Sequence, residues 1–519
     1  MTRSTSTIAR SLLATGLLCG LVASPVTSAL AAGDPVLVIG VPPETLDPYN
    51  TNTTLTTAVT KSFYEGLFEF DQDLKVKNVL AESYEVTPDG LTYTFKLREG
   101  VKFHDGTPFD GNAVKANLER VLNPENRLAR YNQFNRIKTI EVVSPFSVRI
   151  TLREPFGPFI NSLAHASAAM ISPAALQKWG KDIAFHPVGT GPFTFVEWKQ
   201  TDSVKGAKFA GYWQAGLPKV DGITWKPVPE NGTRAAMLQT GEADFASPLP
   251  YEQAKTLSEN KKLKVIAQDS IIERYISMNM LQKPFDDLRV RQAINYAINK
   301  EALAKVAFSG YASPAKGIVP AGVLYAHPMQ AWPYDPAKAR QLLKEAGYAN
   351  GFETILWSAY TTSTAQKAIQ FVQQQLAQVG IKVQTQALEP GQRVEWVQTA
   401  PDPKTARVRM YYAGWSSSTG EADWALRPLL STEAWPPKLN NTAYYSNAEV
   451  DALIAKALVS TSDAERTELY AKAQEQIFKD APWAPLVIEQ NLYATSTRLS
   501  GVAVMPDGNI DSRQIAVAP

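Results

Sequence analysis

The sequence predicts an exported protein of the α/β class, and three observations carry that reading. A short apolar run behind two arginines opens the chain. Strand-like and helix-like patterns alternate after it, as α/β layers require. No later apolar run approaches the roughly 20 residues needed to span a bilayer.

The opening segment reads as a secretory signal peptide. Arg3 and Arg10 flank the start of an apolar run over 12–22, and Ala29-Leu30-Ala31 offers a small-x-small cleavage site. Leu17 and Leu18 precede Cys19 where a lipid-anchor signal needs small residues, so no anchor is expected. Cys19 is the only cysteine, and cleavage after Ala31 leaves none, which excludes disulfides, thiol nucleophiles and thiolate metal sites. The segment carries two arginines and no acid, so 52 basic residues fall to 50 against 50 acidic ones. A chain of zero net charge has no footprint for nucleic acid or an anionic membrane surface. The remaining length suits two or three domains.

The elements follow in order. Residues 36–41 form an apolar run fit for a buried strand, ended by Pro42-Pro43. Threonines between Thr51 and Thr57 lead into a helix through Val59 and Phe63. Tyr93, Phe95 and Leu97 alternate with Thr94, Lys96 and Arg98, the period of a half-buried strand. Asp105-Gly106 marks a turn, and Asp110 caps a helix with Val114, Leu118, Val121 and Leu122 on one face. Asp287 caps another helix that buries Val290, Ile294, Ala297 and Ile298. Asp335-Pro336 is a cap with proline at the first helical position, and Gly347 stands at the C-terminal side. Ala365, Ile369, Val372, Leu376 and Val379 form a stripe ended by Gly380, after which 381–383 resumes as strand. Ser462 with Glu465 is a capping-box pattern.

One stretch concentrates chemistry. Met410 to Ala413 is strand-like, and Gly414 is expected to end the strand. Trp415, Ser416, Ser417, Ser418, Thr419, Gly420, Glu421 and Asp423 follow. An aromatic face, hydroxyls and acids on one short loop suit a small polar molecule carrying an ammonium group. A surface loop with carboxylates in water is the competing reading.

Catalytic signatures are missing. His104, His165, His186 and His327 are the four histidines, and none are at metal-site spacing. No G-x-S-x-G occurs. Ser313 to Lys316 matches S-x-x-K, but Lys404-Thr405 is followed by Ala406 instead of glycine, so the match reads as chance. No P-loop is present. No catalytic residue, metal or cofactor is expected, which disfavours the alternative of a secreted peptidase or penicillin-binding-type enzyme.

Three stretches resemble the family 5 solute-binding proteins, the extracytoplasmic receptors of peptide-type ABC importers. They are 81–108 (AESYEVTPDGLTYTFKLREGVKFHDGTP), Pro284 to Asp287 through Arg291 to Ile298, and Tyr334 to Ala339 through Glu345 to Tyr348. Four more stretches, 234–242 (RAAMLQTGE), 274–279 (RYISMN), 363–382 (STAQKAIQFVQQQLAQVGIK) and 414–426 (GWSSSTGEADWAL), resemble family members that take glutathione. The resemblance implies a type II, cluster C-like periplasmic binding fold with two lobes, an extra subdomain and a ligand cleft between the lobes. Lobe I would comprise 33–75, 188–285 and 488–519, its subdomain 76–187, and lobe II 286–487. It also implies a monomer in the periplasm, glutathione as ligand, and a membrane permease served by separate ATPase subunits. Di- or oligopeptides or a haem-like compound are the alternatives on the same fold.

Family peptide receptors hold the ligand ammonium with an aspartate in the loop after the strand at 410–413. The resemblance puts Asp423 in that role, with Glu421 as its rival. Ligand carboxylates call for arginine, whose planar fork binds both oxygens, and Arg274 and Arg393 are the candidates. For each arginine an ordinary ion pair is the competing role. Trp415 would cover the ligand's backbone plane, beside Ser416, Ser417 and Thr419. Thr51, Thr53 and Thr54 lie where family members line the cleft.

Overall fold

The computed structural model describes residues 33–399, 403 and 405–518; the signal segment and Lys404 lie outside the described residues. The apolar run at the start forms strand β1 (Val36–Ile39), and the threonine-rich segment forms the helix Thr54–Thr60. A hairpin of β2 (Phe68–Phe70) and β3 (Val76–Asn78) leads into a separate antiparallel sheet. That sheet contains β4 (Ala81–Val86), β5 (Thr92–Leu97), β6 (Ile137–Ser144) and β7 (Ser147–Leu152), in the order β4-β5-β7-β6. Helix Gly111–Leu122 covers it, burying Val114, Leu118 and Val121, and Asp110 Oδ1 accepts from the amides of Asn112 and Ala113.

The chain then builds β8 (Phe193–Lys199), β9 (Ser203–Lys208), β10 (Gly222–Pro227) and β11 (Phe245–Ser247), and crosses on the long β12 (Leu263–Met278). Beyond it come β13 (Ala312–Pro314), β14 (Phe352–Ser358), β15 (Ile381–Ala387) and β16 (Met410–Ser416), and the chain returns on β17 (Trp483–Ser496). Among the described residues these strands make one sheet in the order β15-β14-β16-β12-β17-β11-β1-β10-β9-β8, with β13 on β17. Strand β1 runs parallel to β10 and β11, and β14 parallel to β15 and β16, so each half has a parallel centre. The antiparallel pair β12–β17 joins the halves, and its register shifts between Asp269 and Glu273. Ser270 Oγ fills the gap there. It donates to Glu489 O at 2.6 Å and accepts from Ile272 N at 3.1 Å.

Most caps read from the sequence are present. Asp287 accepts from Arg289 N at the head of Leu288–Ala297, and Asp335 from Lys338 N at 2.8 Å at the head of Pro336–Glu345. At Asp463–Asp480, Ser462 Oγ accepts from Glu465 N. The Glu465 carboxylate does not complete the box. It takes the Ser460 hydroxyl at 2.7 Å and Lys456 at 2.9 Å, because a hydroxyl and an ammonium offer better donors than one amide.

Strand β16 overturns a second expectation. It continues through Gly414 to Ser416, paired with β12 from Arg274↔Gly414 to Ile272↔Ser416. Gly414 is needed for space: a Cβ there would stand 2.2 Å from Arg274 Nη1. The glycine admits a guanidinium lying across the strand and does not end it.

Candidate ligand-binding site

In open α/β sheets ligands bind beyond the carboxyl ends of parallel strands. Here β14, β15 and β16 deliver Tyr360, Arg393 and the segment 415–421 to such an end. The segment is held firmly. Leu324 N donates to Gly420 O and Ala422 N to Leu324 O, both at 2.9 Å, while Asn161 Nδ2 reaches Thr419 O at 2.8 Å from the far side. Gly420 has a φ of 72°, a conformation that disfavours side chains, and packs on Phe70.

Within this frame the hydroxyls of Ser416, Ser417 and Thr419 are buried and have no hydrogen-bond partner among the described residues. Buried polar atoms are rarely left this way. Trp415 is half-buried; its Nε1 donates to Trp424 O at 2.7 Å, which fixes the ring.

The two acids after this loop are each buried against an arginine. Asp423 is 2 % exposed and accepts from Arg427 Nε at 2.9 Å and Nη2 at 2.7 Å. Glu421 is fully buried, and both its oxygens accept from Arg466 Nη2, at 2.9 and 2.8 Å. Burial pushes the Glu421 carboxyl up to about 7, with Arg466 opposing and Asp423 reinforcing the rise. Each carboxylate thus faces its own arginine. The Asp423–Arg427 pair is legible in the sequence as an i,i+4 spacing. Arg466 gives no such local signal, since it comes from a distant helix.

The arginines divide as well. Arg274 grips Glu489 with Nε at 2.7 Å and Nη2 at 3.0 Å, and its guanidinium lies 4.5 Å from the Tyr360 ring centre. Arg393 is half-buried and makes no ion pair among the described residues. Its Nη1 reaches only Ala359 O, at 3.5 Å, and its Nε is buried without a partner. On the β1 side of the sheet, Thr51 is buried and its hydroxyl donates to Glu44, whereas Thr53 and Thr54 are half-buried at the head of their helix. Arg130 Nε holds this turn through Thr51 O at 2.9 Å.

Residues 75–437 match the model of the bacterial extracellular solute-binding proteins, family 5. The chain belongs to that family. The match spans the β4–β7 sheet, the crossing strand β12 and the loop after β16, whereas Thr51, Thr53 and Thr54 lie ahead of it. The chain is 59 % identical to the glutathione-binding protein GsiB of Salmonella typhi, over 96 % of both chains. It is 58 % identical to GsiB of Escherichia coli O157:H7 over the same shares. Solved family 5 folds superpose on it. The periplasmic binding protein DppA of Helicobacter pylori, in complex with peptide STSA, gives a TM-score of 0.80 at 28 % identity, covering 94 % of this chain and 98 % of that one. The dipeptide-binding protein of Pseudoalteromonas sp. SM9913, in complex with Met-Leu, gives 0.81 at 27 %, covering 93 % and 100 %.

Proposed function

We propose that the protein is a periplasmic receptor of an ABC importer, which captures glutathione and delivers it unaltered to a membrane permease driven by separate ATPase subunits. The observation that carries this reading is 59 % identity to a glutathione-binding protein along 96 % of both chains. The chemistry of the site supports it. Glutathione carries two carboxylates, and Arg393, which makes no ion pair among the described residues, suits one of them. Ser416, Ser417 and Thr419 bind the ligand's polar backbone, Trp415 covers it, and Thr53 and Thr54 face it from the β1 side. Asp423 and Glu421 hold the loop through their arginines, and Arg274 with Glu489 stiffens the strand pair behind it.

The lobes of this reading are lobe I at 33–75, 188–285 and 488–519, with its subdomain at 76–187, and lobe II at 286–487. The register shift at Asp269/Glu273 supports a bend within β12. Bending there closes the lobes, and ligand favours the closed form through contacts available only in it. Binding energy goes into capture, and no bond is made or broken. Calorimetry with reduced and oxidised glutathione, Met-Leu, a tetrapeptide and haem tests the reading. Heat from glutathione, with the tripeptide recovered intact, is the expected result. Uptake of the peptides or haem alone, or a cleaved product, defeats it.

A further inference from the structure

On the β1 side, the helix Thr54–Thr60 runs into Lys61 and faces the C-terminal turn Met505 to Asn509, held between the short paired strands Ala503–Val504 and Ile510–Asp511. Thr57 Oγ1 donates to Asn509 Oδ1 at 2.7 Å and closes one end of this contact. Beside it lies a small cavity of about 40 Å³, lined among others by Lys61, His165, Asp507, Asn509 and Phe70. That volume has room for about three water-sized groups at roughly 10–15 Å³ each. The cavity borders the candidate site. A Cβ on Gly420 would stand 3.1 Å from Phe70 Cε1, and one on Gly508 would stand 3.6 Å from Thr54 Cγ2.

Most charges around this cavity are already matched. Glu65 accepts from Tyr212 OH at 2.6 Å, Trp213 Nε1 at 2.8 Å and Thr190 Oγ1 at 3.0 Å. Arg513 serves both Asp511, with Nε at 3.0 Å, and Glu69, with Nη2 at 2.8 Å. Lys61 and Asp507 are left. The Lys61 ammonium has no ion pair within 4.0 Å among the described residues. Asp507 is 5 % exposed and accepts one bond on each oxygen, from Asn509 N at 2.9 Å and Nδ2 at 2.6 Å, so each oxygen keeps further acceptor capacity. His165 adds a donor. Its Nδ1 accepts from Ser167 N at 3.1 Å, which assigns the ring proton to Nε2, and Nε2 has no protein acceptor among the described residues.

A cation, an opposed anion and a neutral N–H donor around so small a space complement a group that carries both charges on one carbon. We propose that the cavity is a subsite for a free α-amino-acid head group, with Lys61 and His165 Nε2–H on its carboxylate and Asp507 on its ammonium. This rests on the glutathione reading and assigns the tripeptide's direction. The γ-glutamyl end, whose ammonium and carboxylate share a carbon, enters the cavity, and the glycyl carboxylate is left for Arg393. An α-linked peptide has no carboxylate beside its ammonium, so the subsite selects γ-glutamyl ligands over ordinary peptides.

Calorimetry on the mature protein and on Lys61→Met and Asp507→Asn, with glutathione, γ-glutamyl-cysteine and cysteinyl-glycine, tests this. The wild type is expected to bind the two γ-glutamyl ligands and to prefer both over cysteinyl-glycine. Each variant is expected to lose about 30-fold or more in affinity for those two ligands and to keep its affinity for cysteinyl-glycine. Thermal unfolding without ligand verifies the fold, and Lys61→Gln decides if the methionine variant does not fold. A wild type that takes up no glutathione overturns the reading above and this inference with it. A wild type that binds glutathione, with variants that bind it equally well or lose all three ligands alike, overturns this inference alone.

Discussion

Arg393 and Asp423 differ in their surroundings, and the proposed function gives them opposite work. Asp423 is buried against Arg427, so Asp423→Ala strands a guanidinium and is expected to lower unfolding stability by about 3 kcal/mol, read as a lower urea midpoint. Its effect on glutathione affinity should be much the smaller. Arg393 has no ion-pair partner to strand among the described residues. Arg393→Ala is expected to leave the midpoint nearly unchanged and to weaken glutathione binding by about 2–5 kcal/mol in calorimetry. His165 supplies a pH dependence. Burial, reinforced by the positive charges of Arg130 and Lys61, holds its imidazole well below the ordinary 6.5. Below pH 6.5 the unfolded chain takes up a proton that the folded one refuses, so this site's contribution is complete above pH 6.5 and is lost as the pH falls. His165→Asn should flatten that part of a melting-temperature profile; an unaltered acid-side slope would contradict the assignment.

At the scale of elements, the helix heads were the most legible features, because a cap is a local contact between residues two or three apart. Asp110, Asp287, Asp335 and Ser462 all accept from amides of their own first turns. Glu465 and Gly414 were misread for one reason: both answer to partners outside the local window. Gly414 makes a direct prediction. Gly414→Ala drives a methyl into Arg274 Nη1, which must shift against Glu489 or Tyr360, and overpacking of this kind costs about 1–3 kcal/mol. A lower denaturation midpoint with the glycine replaced, and recovery when Arg274 is shortened in the same chain, would establish the clash. An alanine variant as stable as wild type would refute it.

At the scale of the molecule, the β12–β17 pair shifts register twice, between Asp269 and Glu273 and between Arg274 and Tyr275. Strands β12 and β17 change register beside Ser270, where the ladder is already interrupted and a bend loses the fewest backbone hydrogen bonds. The Asn161–Thr419 bond and the bond from Gly157 N to Leu458 O at 2.8 Å tie the β4–β7 region to the far half, and opening must break both. Glutathione is therefore expected to reduce the radius of gyration in small-angle X-ray scattering. At 100 times its dissociation constant it should also stabilise the fold by about 2.7 kcal/mol. A radius that does not change with saturating ligand would leave no role for the bend.

The sequence by itself determined the α/β class, the helix heads and the loop where polar groups gather, since periodicity, capping and residue type act over a few positions. Its family-specific stretches also carried the two-lobed fold and the kind of ligand. Only the tertiary structure decided which charges are spoken for. Arg466 reaches Glu421 across 45 positions and Glu489 reaches Arg274 across 215, and Asp507 comes to face Lys61 from the other end of the chain. Whether a charged side chain holds the fold or waits for a guest depends on what stands within about 4 Å of it, and folding sets that distance.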